Sequence, residues 1–119
     1  MTDTEKAAAM HKRGAAALCL LASSLLPGSI LYAYAAPATH TVVMEGVAFT
    51  PQTLTVKQGD TIVWANKDVF PHTATAQDGS FDSQEIPVGK SWRYVAKKAG
   101  KHSYVCTLHP TMKGTLIVQ

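Results

Sequence analysis

Apolar and polar positions alternate in short runs from residue 41 onward, and each run stops at a turn signal. Thr41-Val42-Val43-Met44, Thr53-Leu54-Thr55-Val56, Thr61-Ile62-Val63-Trp64, His72 to Ala76, Trp92-Arg93-Tyr94-Val95, His102 to Cys106 and Thr115-Leu116-Ile117-Val118 are rich in β-branched and aromatic residues and are predicted as strands. Gln58-Gly59-Asp60, Asp78-Gly79-Ser80, Pro87-Val88-Gly89-Lys90 and Ala99-Gly100 supply the residues that tight turns require. No stretch sustains a helical period. The prediction is an all-β fold, a small antiparallel β-sandwich with Greek-key connections, without internal repeat or second domain. Side chains two apart on a strand share a face, so an inward Cys106 brings His102 and Tyr104 with it. The apolar strand that follows starts near Gly114, which makes residues 107–113 a loop at one end of the sandwich.

The first third of the 119-residue chain has a different character. Lys6, Lys12 and Arg13 precede an apolar run, AAALCLLASSLLPGSILYAYAA, from Ala15 to Ala36. That order is that of a secretory signal peptide, and Ala33-Tyr34-Ala35 offers small residues for cleavage after Ala35. The expected division is a leader at 1–35 and one domain at 36–119, exported to the periplasm. An uncleaved leader would instead be a membrane anchor, since the run approaches the roughly 20 residues that span a bilayer. Removal of the leader takes Cys19 with it and leaves Cys106 alone in an oxidising compartment, where a thiol needs burial, a metal or a partner. The net charge of +3 is spread out, with no basic run interleaved with aromatics, so nucleic acid is not an expected partner. The cluster of Lys97, Lys98 and Lys101 reads as a solvated turn.

The chemistry lies in "CTLHPTM", Cys106 to Met112. A thiolate, an imidazole and a thioether within seven residues are soft donors that select copper over zinc, calcium or magnesium. An electron-transfer copper site takes two histidines and a cysteine in a near-trigonal plane with a weak axial methionine. His72, after Pro71 in "NKDVFPH", is the candidate for the second histidine. A cysteine nucleophile with His109 as base is the enzymatic alternative, but it leaves Met112 without a role. His102 lies two strand steps, roughly 13 Å, from Cys106 and is expected as a boundary histidine, while His40 is expected to be solvated. Trp64, Trp92, Phe49, Phe81 and Tyr104 are assigned to the core.

The segments "VWANKDVFPHTATA", Val63 to Ala76, and "AGKHSYVCTLHPTMKGTLIV", Ala99 to Val118, resemble the blue copper proteins, closest to the amicyanin and plastocyanin branch of the cupredoxins. The likeness runs through "FTPQTLTVKQGDTIVW" and "GSFDS". Two residues separate His109 from Met112, as in amicyanins, where plastocyanins have four. The resemblance implies one type 1 copper ion held by His72, Cys106, His109 and Met112. It also implies a one-electron carrier that is not an enzyme, working as a monomer between redox proteins such as a dehydrogenase and a c-type cytochrome, with no membrane contact after leader removal. A copper-buffering or delivery module is the alternative function. Three positions depart from the family pattern. Thr73 replaces an Asn that ties the ligand loops together, and its hydroxyl is expected to bridge the same gap. Leu108 replaces a Pro, and its N–H is expected to approach the Cys106 sulfur. His102 replaces the first Tyr of Tyr-x-Tyr-x-Cys.

Overall fold

Alternation decides which side chains meet. The computed structural model describes residues 28–119, so most of the expected leader, with Cys19 and the Lys12-Arg13 pair, lies outside the described residues. Residues 33–119 form one unit that carries the whole core. Eight strands follow in order: β1 (Thr39–Glu45), β2 (Ala48–Thr50), β3 (Thr53–Val56), β4 (Thr61–Asn66), β5 (Thr75–Ala76), β6 (Ser91–Val95), β7 (Gly100–Cys106) and β8 (His109–Val118). They make two sheets, ordered β2-β1-β4-β6 and β3-β8-β7-β5.

In β4, Ile62, Trp64 and Asn66 are buried, and in β7 His102, Tyr104 and Cys106 are, which is the inward set expected from period two. Trp64 and Phe49 from one sheet meet the Tyr104 ring of the other edge-on, at centroid distances of 5.5 and 4.7 Å. Large side chains buried in this way contribute about 1.5–3 kcal/mol each. Burial pushes the Tyr104 phenol up to about 12.

The all-β expectation is met, but the antiparallel one is only partly so. β1 pairs with β4 in parallel, Thr39 opposite Thr61, and β3 pairs with β8 in parallel, Thr53 opposite Thr115, so both sheets are mixed. The reason is connectivity. From β2 to β7 each strand lies in the other sheet from the one before it, so β4 returns beside β1 after a crossing through β3 rather than by a hairpin. The run predicted from His72 to Ala76 is a strand only at Thr75–Ala76, with His72 in an isolated bridge to Ile86.

These crossings sort the connections to two ends. Gly59 N–H donates to Ala96 O and Ala96 N–H to Asp60 O, which puts the β3–β4 and β6–β7 turns together. The loop after β4 and the β7–β8 turn meet at the other end, where Thr73 N–H reaches Cys106.

Candidate metal centre

The β7–β8 hairpin does not have the loop that was expected. Regular pairing runs from Gly100 opposite Val118 to Val105 opposite Lys113, and then the register jumps so that Cys106 faces His109. Only Thr107 and Leu108 form the turn. Residues 110–112 are the excess on β8, a bulge that sets His109 opposite Cys106 while Met112, next to the residue that faces Val105, stays buried. Met112 and Cys106 are buried in the core, and His109 is half-buried.

His72 arrives from the other side. Asn66, at the end of β4, is buried and organises the loop behind it: its side-chain N–H groups donate to Phe70 O and Ile86 O at 2.8 and 3.0 Å, and its oxygen accepts Asp68 N–H at 3.0 Å. Pairing with Ile86 through N–H and carbonyl holds the His72 backbone. The Asp68 carboxylate lies 2.9 Å from His72 Nε2 and accepts the N–H groups of Val47 and Val69, each at 2.8 Å. These bonds, that of Val47 first and that of His72 next, lower Asp68 to about 2, so it is an ionised acceptor. His72 Nε2–H donates to it, which leaves Nδ1 facing the Cys106 sulfur 3.6 Å away. Val47 contributes through a strained turn. It follows Gly46 with a φ of 55°, a conformation β-branched residues rarely adopt, and this turn is what aims its N–H at Asp68.

The donor atoms of His72, Cys106 and His109 all lie within 4.8 Å of one another. His109 Nδ1 is 3.8 Å from Cys106 Sγ, and the two imidazole rings are 4.9 Å apart. Metal–nitrogen and metal–sulfur bonds of about 2.0 and 2.3 Å at about 120° separate nitrogen from sulfur by roughly 3.7 Å. The observed 3.6 and 3.8 Å match a three-donor plane. One soft sulfur, two imidazoles and a buried thioether on the same hairpin fit copper.

Two of the family departures can be examined directly. Thr73 does bridge the loops: its hydroxyl accepts Thr107 N–H at 2.9 Å and lies 3.2 Å from the Thr107 hydroxyl. The N–H on the Cys106 sulfur is that of Thr73, at 3.3 Å, and not that of Leu108. The expectation for Leu108 is corrected because the tight turn and bulge leave its N–H outside bonding reach of Sγ. At the third departure, His102 is buried and stands away from the donors, with Nδ1 on the Asp78 carboxylate and Nε2 2.8 Å from Lys98 O. His40 pairs with Asp60 at 2.9 Å. Asn66, Asp68 and Val47 were not singled out from the sequence; the only signal was the turn-forming composition of "NKD".

Residues 14–118 match the Cupredoxin-like domain family. The amicyanin of Paracoccus versutus is 30% identical over 89 residues, which cover 70% of this chain and 67% of that protein. The plastocyanin of Scenedesmus fuscus is 33% identical over 91 residues, 61% of this chain and 88% of its own length. A solved Cu(I) form of an amicyanin mutant superposes with a TM-score of 0.64 at 26% identity, over 71% of this chain and 86% of the other.

Proposed function

The chain belongs to the cupredoxin-like family, and from that premise we propose that it carries single electrons between redox proteins, with His72, Cys106, His109 and Met112 as the ligands of one type 1 copper ion. Copper is its cofactor and supplies the Cu(I)/Cu(II) couple. The observation that carries the reading is the placing of two imidazole nitrogens 3.6 and 3.8 Å from one buried cysteine sulfur.

The protein's own residues explain why such a site turns over rapidly. Asp68 fixes the tautomer and angle of His72, while the Thr73–Thr107 bonds lock the two donor loops to each other. Donors held this way barely move between oxidation states, so little reorganisation opposes the transfer. The Thr73 N–H on the sulfur draws charge from the thiolate and favours the reduced state. His109 is the donor nearest the surface. Around it Leu108 and, from the other loop, Val69 and Phe70 are exposed, and the Phe70 ring is 5.8 Å from that of His109. This apolar surface suits a small, short-lived contact with a redox partner. A dehydrogenase as donor and a c-type cytochrome as acceptor, met in the periplasm after export, complete the proposal. With four donors engaged no position is left for a substrate, which makes the protein a carrier and not an enzyme.

Copper-loaded protein is expected to show an intense visible band and narrow hyperfine splitting in electron paramagnetic resonance, both lost in Cys106→Ser. A pale spectrum indifferent to that substitution would sink the ligand assignment. A carrier should also keep its copper through repeated oxidation and reduction beside a Cu(I) chelator; ready loss would point to copper delivery instead.

A further inference from the structure

The end of the sandwich away from the metal centre has a charge of its own. Gln58 Nε2 donates to Lys97 O at 2.9 Å, Gly59 N–H to Ala96 O at 2.7 Å and Ala96 N–H to Asp60 O at 2.8 Å. Two turns far apart in sequence are thereby stitched together, and Lys57, Lys97, Lys98 and Lys101 are gathered, all exposed. Among the described residues none of the four pairs with a carboxylate. The two carboxylates nearby are committed elsewhere. Asp60 accepts the N–H groups of Ala38 and Lys57 and meets His40; Asp78 accepts Ser80 N–H and meets His102.

Among the described residues the remaining acidic groups, Glu45, Asp68, Asp82 and Glu85, sit on the metal half, Asp68 against His72. Glu45 follows Met44, whose strand partner is Asn66; Asp82 bridges to Thr75, which lies opposite Val105; Glu85 precedes Ile86, which bridges to His72. There Lys67, Lys90 and Lys113 offset three of the four. The domain is thus polarised along its strands, positive at one end and without excess positive charge at the other.

The polypeptide enters the sandwich at the positive end. Ala38 N–H donates to Asp60 Oδ1 at 2.9 Å, and Thr61 N–H donates to Ala38 O at 2.8 Å. Immediately upstream in the sequence is the apolar run of residues 15–36. We propose that this lysine face is a docking surface for anionic lipid headgroups, and that it stands the domain on a bilayer with the metal end turned away. β7 spans the domain with seven residues, so at about 3.3 Å per residue the metal end stands roughly 20 Å above the headgroups. That leaves the surface around His109 free for partners while the protein moves in two dimensions. An acidic protein would feel the same charge. The lipid is the better occupant because the face offers four lysines without carboxylate partners and little apolar surface: among the described strands, Val95, opposite Thr61, is the exposed large apolar side chain at this end, too little for the core of a protein interface. This departs from the expectation of no membrane contact once the leader is gone, since the cluster exists only after two turns are folded together.

The test uses residues 33–119, which contain the whole core, floated with vesicles of phosphatidylcholine alone or with about 30 mol % phosphatidylglycerol. Binding is expected only to the anionic vesicles, with each Lys→Gln change at 57, 97, 98 or 101 lowering the partition coefficient roughly fivefold. Raising salt to about 0.15 M should weaken it. Lys67→Gln with Lys90→Gln should leave binding unchanged, and an unaltered circular dichroism spectrum shows that each variant is folded. Equal binding to both vesicle types, no binding to either, or binding indifferent to the four lysines would overturn the proposal. If vesicles are ignored while the lysine variants slow electron exchange with an acidic redox protein, the face belongs to a protein partner and the lipid assignment is wrong.

Discussion

At the scale of single residues, two positions carry constraints out of proportion to their size. Gly114 lies opposite Tyr104 in the β7–β8 ladder, and a Cβ there would stand 2.3 Å from the Tyr104 ring carbon Cζ. Gly114→Ala is therefore expected to destabilise the protein by about 1–3 kcal/mol, read from its urea midpoint, and an unchanged midpoint would show that ring and strand separate easily. Asp68 holds the ring of His72, a proposed copper ligand. Asp68→Ala should weaken copper binding about 10- to 100-fold, measured against a competing chelator, whereas Asp68→Asn keeps an oxygen for His72 Nε2 and should lose less. The four proposed donors could be picked from the sequence because thiolate, imidazole and thioether announce themselves by type. Asp68 could not, because an aspartate four residues before a histidine means nothing until Asn66 has curled the loop so that the two side chains meet.

The elements were legible where alternation and β-branching coincide, as in β3, whose bounds match the prediction residue for residue. β2 escaped because it is three residues long and its partner register depends on the strained turn at Gly46-Val47. The parallel pairings escaped because pattern reports which side chains point inward and not which neighbour lies alongside. The segment 107–113 was taken for a loop because Pro110 and the polar threonines hide a strand that pairs only after a three-residue jump in register. Beside the Thr73 N–H on Cys106, one hydroxyl joins that hairpin to the β4–β5 loop. Thr73→Val keeps the shape but leaves the Thr107 N–H without its acceptor, and should cost about 1–3 kcal/mol in the copper-free protein, seen as a lower thermal midpoint. No change would mean that packing alone holds the donor loops together.

For the whole molecule, the carboxylates foretell acid sensitivity. Asp60 is lowered from 3.8 to about 2, chiefly by the N–H groups of Lys57 and Ala38 and then by His40, and Asp78 is lowered by Ser80 and, less, by His102. A carboxylate depressed by folding contributes stability that is complete above its ordinary value and is lost as the pH falls through the folded one. The denaturant midpoint of the copper-free protein should thus be level above about pH 4 and fall between about pH 4 and pH 2, with a shallower fall in Asp60→Asn. A midpoint indifferent to pH across that window would contradict the assignment. The placing of β8 has a separate consequence for how the protein is made. This last strand lies between β3 and β7 and brings Met112, Leu116 and Val118 to the core, so no nascent piece that lacks it can close the fold. Synthesis must pass β8 first, and the proposed donors His109 and Met112 arrive on that same closing strand. The sandwich therefore stays open until β8 has been made, and the proposed metal centre forms in the same step that closes the fold.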